Sequence, residues 1–568
     1  MRNIGIDFGS TYTTVSVYRV ETGQLETVFF NQDSPYVPSV AAYNGKKLEF
    51  GRAAKLHAGK KGVSVYKAFK MLLTETDEER LEKRGYLGPY TPSRIAGEFL
   101  DDLIHQVLAR TGEERIGRLV VGAPEIWFQE VKTIAARSIL RDICLEIPEV
   151  GSVQVVSEPA AASAFFSYNY QTITGKAFDG NILLIDYGGG TLDLTLTQVT
   201  ARPDEENRQR MEIKVLEAVG AGENVERRIG KAGIVYMEVV MAEAVWRAGL
   251  VEGDRGPKID GKFLRAVNEL EDELQSRTEE IGAFFAERGL EDPDRLNEEF
   301  TSVDYRGEEL EITYGLLAEV YDDVIRPVLD GKLREMLSFM DERGIDYGNS
   351  SRDTFKVALV GGFGNFYLVK KQVMDLFRFV PGDRRQSDII RNKSDCEKAI
   401  SLGTALLASR VVGIRQTAPY SIGVFARSAS GEACRDYAFR YKEDIEFGRA
   451  YFPVSPADGR RIVTFVASNS ISRFVINMGH DEQTAIVVPL KEEFKRRLEN
   501  VVKNEYRTAV IGFSLDPSEV VSVHICEYDL LEDQLGEDHV IELTRFDELF
   551  ELTRVEKLEA RNCEAAKL

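Results

Sequence analysis

One segment type occurs twice in this chain and restricts its fold more than any other feature: IGIDFGSTYTTVSV at 4–17 and LLIDYGGGTLDLTL at 183–196. Each reads as a strand ending in aspartate, a tight glycine turn, and a second alternating strand. The two aspartates, Asp7 and Asp186, stand a whole α/β lobe apart, far beyond the period of a solenoid repeat. The spacing predicts two related lobes facing each other.

Between and after the hairpins, strands and helices alternate, which argues an α/β architecture. VAAYNGKKLEFG reads as a hairpin, 92–109 as a helix, RLVVGAP at 118–124 as a strand, and 128–140 as a helix. A charge-dense stretch at 253–292 has apolar residues at helical spacing and predicts a solvated helical subdomain. A long helix is expected over 313–343, then the strand KVALVGGFGNF at 356–366 and a helix through LVKKQVMDLF. The stretch Leu402-Gly403-Thr404-Ala405 leads into one more helix. From about 419 the runs are short and alternating: YSIGVFA, RIVTFVAS, SRFVINMG, TAIVVPL, TAVIGFSLD, VVSVHICEYD and HVIELT. Gly, Pro, Asp and Asn punctuate them, the signature of an antiparallel β domain. The expected organisation is 1–410 as a two-lobed region with a boundary near 180, 411–418 as a linker, 419–548 as the β domain and 549–568 as a short helical tail.

The chain has 568 residues and a formal net charge of −21, so phosphate backbones and anionic membrane surfaces would repel it. A nucleic-acid or membrane partner is not expected. No long apolar run and no leader-like segment is visible, and the expected location is cytoplasmic. The five cysteines are scattered without a C-x-x-C pair and only five histidines occur, which points to neither a disulfide framework nor structural zinc.

The turn D-F-G-S-T can aim several backbone N–H groups and hydroxyls into one concavity, because Gly9 lets phosphate oxygens approach the chain closely. Two such hairpins would clasp a polyphosphate. Asp7, Asp186 and Asp193 are hard oxygen ligands suited to Mg²⁺ through its retained waters. VALVGGFGN at 357–365, a buried strand running into a glycine pair, suits the passage of backbone against a base or ribose.

On these segments the sequence resembles the seventy-kilodalton heat-shock chaperones within the actin, sugar kinase and heat-shock ATPase superfamily. The two hairpins look like the family's phosphate hairpins, VALVGGFGN like its adenosine segment, and VVSEPAAASAFF at 155–166 like the stretch with its connecting-helix Glu and Pro. The resemblance implies a two-lobed actin-like ATPase fold of duplicated ribonuclease H-like subdomains, followed by the β domain. It implies that Gly9, Ser10, Thr11 and Tyr12 embrace the β-phosphate, and that Gly188, Gly189, Gly190 and Thr191 hold the β- and γ-phosphates. Asp7, Asp186 and Glu158 would orient the water shell of Mg²⁺, and Asp193 would stand near K⁺ or the attacking water. Gly361, Gly362 and Phe363 would border the adenosine. The catalytic lysine of SVYKAFKMLL would be Lys70, with Lys67 the alternative, and its task is positioning and charge offset.

The sequence departs from the family pattern in several places. NELEDELQS at 268–276 has acids where Lys and Arg are expected beside the adenine, and Phe363 and Asn365 replace a hydroxyl and an Arg. Stacking against Phe363 offers one substitute contact. The connection VVGIRQTAPYSIG lacks the family's acidic, leucine-rich linker, and about twenty residues after 548 leave little for a helical lid. The expected function is therefore an ATP/ADP-binding, Mg²⁺-dependent, slowly hydrolysing chaperone-like ATPase whose lidless β domain binds polypeptide segments, with co-chaperones as further partners. The alternative is a dedicated regulator, or a reactivation or assembly factor, that acts on one partner protein. A small-molecule kinase is disfavoured by VVSEPAAAS and by the β domain.

Overall fold

A computed structural model describes the chain except for residues 1, 31–33, 58–61, 87–89, 129–134, 189–190, 204–208, 222–232, 252–255, 258–260, 291, 349–353, 379–392, 428–432, 454–472, 478, 480–484, 494–495, 497–506, 530–533, 543–555 and 558–568. Two units divide it: Met1–Phe165 with Ile400–Leu568, and Phe166–Ala399.

The first unit begins with the antiparallel pair β1 (Arg2–Phe8) and β2 (Tyr12–Arg19), in which Asp7 lies opposite Thr14. β3 (Gln24–Thr27) extends this hairpin, and β4 (Val40–Tyr43), β5 (Leu48–Phe50) and β6 (Ser64–Lys67) form a small separate sheet. Helix α1 (Pro92–Thr111) follows. The Thr91 hydroxyl accepts the Arg94 N–H at its start, Pro92 sits in its first turn, and left-handed Gly112 ends it. Its residues Ile95, Phe99, Leu103 and Val107 are buried at helical spacing. β7 (Ile116–Ala123), α2 (Ala135–Leu145), β8 (Val153–Ser157) and α3 (Glu158–Thr174) come next. β7 lies parallel to β1 and β8 parallel to β7, giving the order β3-β2-β1-β7-β8. The helix expected over 128–140 is displaced: a 3₁₀ turn covers Glu125–Phe128 and α2 runs on to Leu145, because Leu140 and Cys144 continue its buried face.

In the second unit β9 (Gly180–Tyr187) pairs antiparallel with β10 (Leu192–Pro203), and Asp186 lies opposite Asp193. β11 (Gln209–Ala221), α4 (Gly233–Arg247) and α5 (Gly261–Ser276) follow. α5 carries the acidic NELEDELQS; it buries Phe263, Ala266, Leu270 and Leu274 in the core and exposes Glu269 and Asp272. The hairpin β12 (Glu299–Tyr305) and β13 (Glu308–Thr313) leads to α6 (Tyr314–Val320) and α7 (Arg326–Glu342). These two helices replace the single helix expected over 313–343. A π turn at Tyr321–Ile325 separates them, since Pro327 lacks an N–H and its ring would clash with the carbonyl four residues back. β14 (Phe355–Val360) lies parallel to β9, and α8 (Tyr367–Leu376) follows it. The order β14-β9-β10-β11 repeats the plan of the first sheet, with an aspartate strand flanked by an antiparallel hairpin mate and a parallel strand.

α9 (Lys393–Ala408) contains residues 402–405, the stretch with which one more helix is expected. Its end packs within the first unit almost without side chains between backbones. A Cβ on Gly403 would stand 1.7 Å from the Ala161 carbonyl oxygen of α3, and one on Gly5 of β1 would stand 2.1 Å from the Ala405 nitrogen. Only glycine fits either position.

The rest of the first unit is antiparallel β structure. β15 (Ser421–Arg427), β16 (Ala433–Phe439), β17 (Arg473–Asn477) and β18 (Ile486–Pro489) form one sheet, and β19 (Arg507–Leu515), β20 (Val521–Asp529) and β21 (Gln534–Glu542) another. Ile422, Val424, Phe474 and Ile476 share a core with Ile511, Phe513, Val523 and Ile525. The expected run RIVTFVAS lies outside the described residues. Within 549–568, where short helices are expected, the described residues form β22 (Glu556–Lys557), a strand paired with β18, whose edge offers the unpaired backbone groups.

The turn between β19 and β20 is seated against β8 and α2. The Asp516 carboxylate accepts the N–H groups of Ser518 and Val520, which closes the turn. The Ser518 hydroxyl accepts the Val155 N–H, and the Gln154 side-chain amide donates to the Pro517 carbonyl. Arg137, 1% exposed, pairs with Glu519, and Arg141 pairs with Asp516. Removing one member of a buried pair strands the other charge. Glu519→Ala should therefore lower stability by about 3–5 kcal/mol, whereas the joint replacement Arg137→Met/Glu519→Leu should recover most of it. Urea unfolding of the three proteins checks this, and equal midpoints for wild type and Glu519→Ala would refute it.

Candidate functional site

In the first unit the structure draws together three of the charged residues singled out from sequence. β1 delivers Asp7 at its end, one residue before Phe8, which is fully buried. α3 delivers Glu158 at its first residue, fixed in place because Ala161, three residues on, touches the backbone of Gly403. Lys70 comes from a 3₁₀ turn, Phe69–Leu72, that follows β6. Ala68, just before this turn, is left-handed at φ 57°, a conformation costly for any residue with a Cβ. The Tyr86 hydroxyl donates to the Lys67 carbonyl at 2.7 Å and holds the approach to the turn. Phe69 stacks into an aromatic group with Phe8 and Phe99 at centroid distances of 5.5–6.0 Å.

The consequence is a lysine that is 2% exposed and donates to Glu158 Oε1 at 2.6 Å. Lys67 is exposed, so of the two lysines it is Lys70 that meets Glu158. The Lys70 ammonium also lies 5.8 Å from the ring centroids of Phe8 and Trp127. Burial pushes the Asp7 carboxyl up to about 7, and the neighbouring Glu158 charge adds to the rise while Lys70 opposes it. Two carboxyls thus share one ammonium in a poorly hydrated place.

The turn after β1 is open to solvent. Ser10, Thr11 and Tyr12 are exposed, and Gly9 carries no Cβ because one would stand 2.1 Å from the Tyr12 carbonyl oxygen. Ser39 ties the turn from outside: its hydroxyl donates to the Gly9 carbonyl at 2.6 Å and its N–H donates to Thr11 at 2.8 Å.

In the second unit Asp186 and Asp193 face each other across β9 and β10, and the Gly188 N–H donates to the Thr191 carbonyl at 3.0 Å. Gly189 and Gly190 lie outside the described residues. Gly361 ends β14 at φ 80°, and a Cβ there would stand 2.6 Å from Asp186 Oδ1. Gly362 beside it has nothing within 4 Å of its Cβ position. Phe363 is only half-exposed. Its ring packs edge-on to Tyr187 at 5.1 Å and against Tyr236 and Phe366 at 5.4 Å, so much of the face expected to meet a base is already covered by the protein.

Nothing in the motif pattern points to Ser39 or to the surroundings of Lys70. One faint signal existed: Trp127, one of only two tryptophans, stands three residues after the strand RLVVGAP. Among the described residues no helix is long and apolar enough to cross a membrane.

Fold and site define a mixed α/β protein of several sheets with two glycine-turn hairpins, each carrying an aspartate at the end of its first strand. No protein-family model matches the chain. It is 24% identical to the heat shock cognate HSP70 protein of Trypanosoma brucei brucei over 402 residues, which cover 66% of this chain and 52% of that protein. To the chaperone protein HscA of Klebsiella pneumoniae it is 22% identical over 429 residues, 72% of this chain and 58% of that one. To the heat shock 70 kDa protein BIP3 of Oryza sativa it is 27% identical over 222 residues, 34% of this chain and 31% of the relative. The chain is a divergent relative of the seventy-kilodalton heat-shock chaperones, and it spans little more than half the length of the first two of these proteins.

A carboxyl raised to about 7 binds its proton in the folded state where the unfolded chain, near 3.8, has lost it. Folded stability without ligand should therefore fall as pH rises from about 4 to 7 and level off above. Asp7→Asn removes the cost of the charge. We expect it to exceed wild type by roughly 1–3 kcal/mol at pH 8, with the gap closing near pH 4. Urea unfolding without nucleotide at several pH values checks this, and a gap that does not change with pH would refute it.

Proposed function

We propose that the chain is an ATP-binding, slowly hydrolysing, chaperone-like protein with a two-lobed actin-like ATPase fold and a C-terminal β domain that binds polypeptide segments. The observation that carries this reading is the buried Lys70–Glu158 pair beside Asp7, at the end of a hairpin whose turn is open to solvent. A largely buried site with two carboxyls and one ammonium fits a divalent cation, and burial, with the neighbouring Glu158 charge, is what raises the Asp7 carboxyl. Asp7 and Glu158 are the residues of the first unit that would hold Mg²⁺ through its waters. The ion, when bound, supplies charge offset on the phosphates.

The remaining work falls to the chain. The N–H groups and hydroxyls of Gly9, Ser10, Thr11 and Tyr12 bind phosphate oxygens, which the open turn permits. Gly188 and Thr191, at the mouth of the second hairpin, take the terminal phosphate, with Asp193 beside the attacking water. Lys70 donates toward the water and the γ-phosphate, and its rigid seat means little reorganisation as charge shifts in the transition state. Asp7, whose carboxyl burial raises to about 7, would be held as the carboxylate by a bound cation. Base recognition is weaker than in the family pattern, because Phe363 is engaged by Tyr187, Tyr236 and Phe366.

Calorimetry with Mg²⁺·ATP tests the core of this reading, and absence of binding would end it. Lys70→Ala should keep nucleotide affinity within a few-fold while single-turnover hydrolysis falls at least about tenfold, roughly 1.4 kcal/mol of barrier. An unchanged rate would remove Lys70 from the chemistry. Suppression of aggregation of a generic unfolded protein tests the β domain's part.

A further inference from the structure

We propose that Trp127 is a positioning residue for Lys70: its indole, together with Phe8, holds the ammonium in the orientation that phosphoryl transfer requires. This rests on the ATPase reading above. Among the described residues Glu158 is the one hydrogen-bond partner of the Lys70 ammonium, and a single carboxylate fixes a distance but leaves the ammonium free to swing about it. Two ring centroids at 5.8 Å remove that freedom by attracting the cation electrostatically. Tryptophan provides the strongest such attraction of the aromatic residues, and it gains in a place where water does not compete.

The two rings are themselves immobile. Trp127 is 1% exposed in the 3₁₀ turn Glu125–Phe128, closed by its own N–H to the Pro124 carbonyl at 3.0 Å. Phe8 is fully buried on Phe69 and Phe99. The ammonium is therefore gripped from three elements: α3 through Glu158, β1 through Phe8, and the connection after β7 through Trp127. An ordinary core tryptophan would fill volume just as well as an aliphatic residue of similar size. A positioning tryptophan needs its π-face.

That difference sets the test. Single-turnover hydrolysis and nucleotide affinity are measured for wild type, Trp127→Leu and Trp127→Phe. The leucine variant should lose at least about fivefold in rate at unchanged nucleotide affinity, and the phenylalanine variant should recover most of it. Equal rates for leucine and wild type would overturn the proposal, as would equal losses for leucine and phenylalanine. A second arm does not depend on turnover. Trp246, the other tryptophan, is 59% exposed, and Trp246→Phe leaves Trp127 as the sole indole emitter. Adding Lys70→Met should then change the emission intensity of Trp127, because a charged neighbour has been removed. Unchanged emission would show that the two groups do not interact in solution and would overturn the proposal. Failure of wild type to turn over ATP at all sinks the ATPase reading and the catalytic role of Trp127 with it, and the emission arm still shows whether the contact exists.

Discussion

Two glycines without room for a single carbon determine where the reactive groups of the first unit stand. Gly403 lies on the backbone of α3 at Ala161, and Gly5 lies against the backbone of α9 at Ala405. Contact at this distance tolerates no adjustment, so the start of α3 and the end of β1 are both referenced to the same helix. Glu158 is the first residue of α3 and Asp7 the penultimate residue of β1. Their closeness follows from backbone packing, and the small residues of EPAAAS are what permit it. A methyl group at either glycine would move a carboxyl before it touched the chemistry.

Around those carboxyls the electrostatics are deliberately incomplete. One ammonium faces two acids, and burial, with the Glu158 charge added, raises the Asp7 carboxyl to about 7. Folding alone would favour neutral side chains here. The backbone strain at Ala68 belongs to the same pattern, since it turns the chain sharply enough to point Lys70 inward. Costs of this kind gathered in one place are what makes these residues a candidate site.

Much of the plan was legible because it rests on short-range pattern. The D-x-G hairpins, the helix of Pro92–Thr111 and the described C-terminal strands all have local signals, and these stand close to where the pattern puts them. What escaped was decided at long range. The break in 313–343 is the exception, since Pro327 stands within that stretch and marks it locally. The choice between Lys67 and Lys70 depended on which one the 3₁₀ turn buries. The covering of Phe363 by Tyr187, Tyr236 and Phe366 joins residues far apart in sequence. The pairing of Arg137 with Glu519 joins residues 382 apart in sequence, and no pattern in either segment announces it.

The serine at the tip of the β19–β20 turn has an effect that reaches beyond its own hydrogen bond. β8, with the sequence VQVVS, is the last strand of its sheet among the described residues, and its middle residue would otherwise present a bare N–H beside apolar side chains. Such an edge invites another chain to add a strand. Ser518 occupies that N–H, and Pro517, which has no N–H of its own to offer, sits next to it. The far end of the chain thus serves as a stopper on the sheet formed by its beginning. During synthesis the stopper emerges 363 residues after the strand it covers, so a long stretch of translation proceeds with this edge uncovered, and a shortened product ending before residue 507 would carry it uncovered for good.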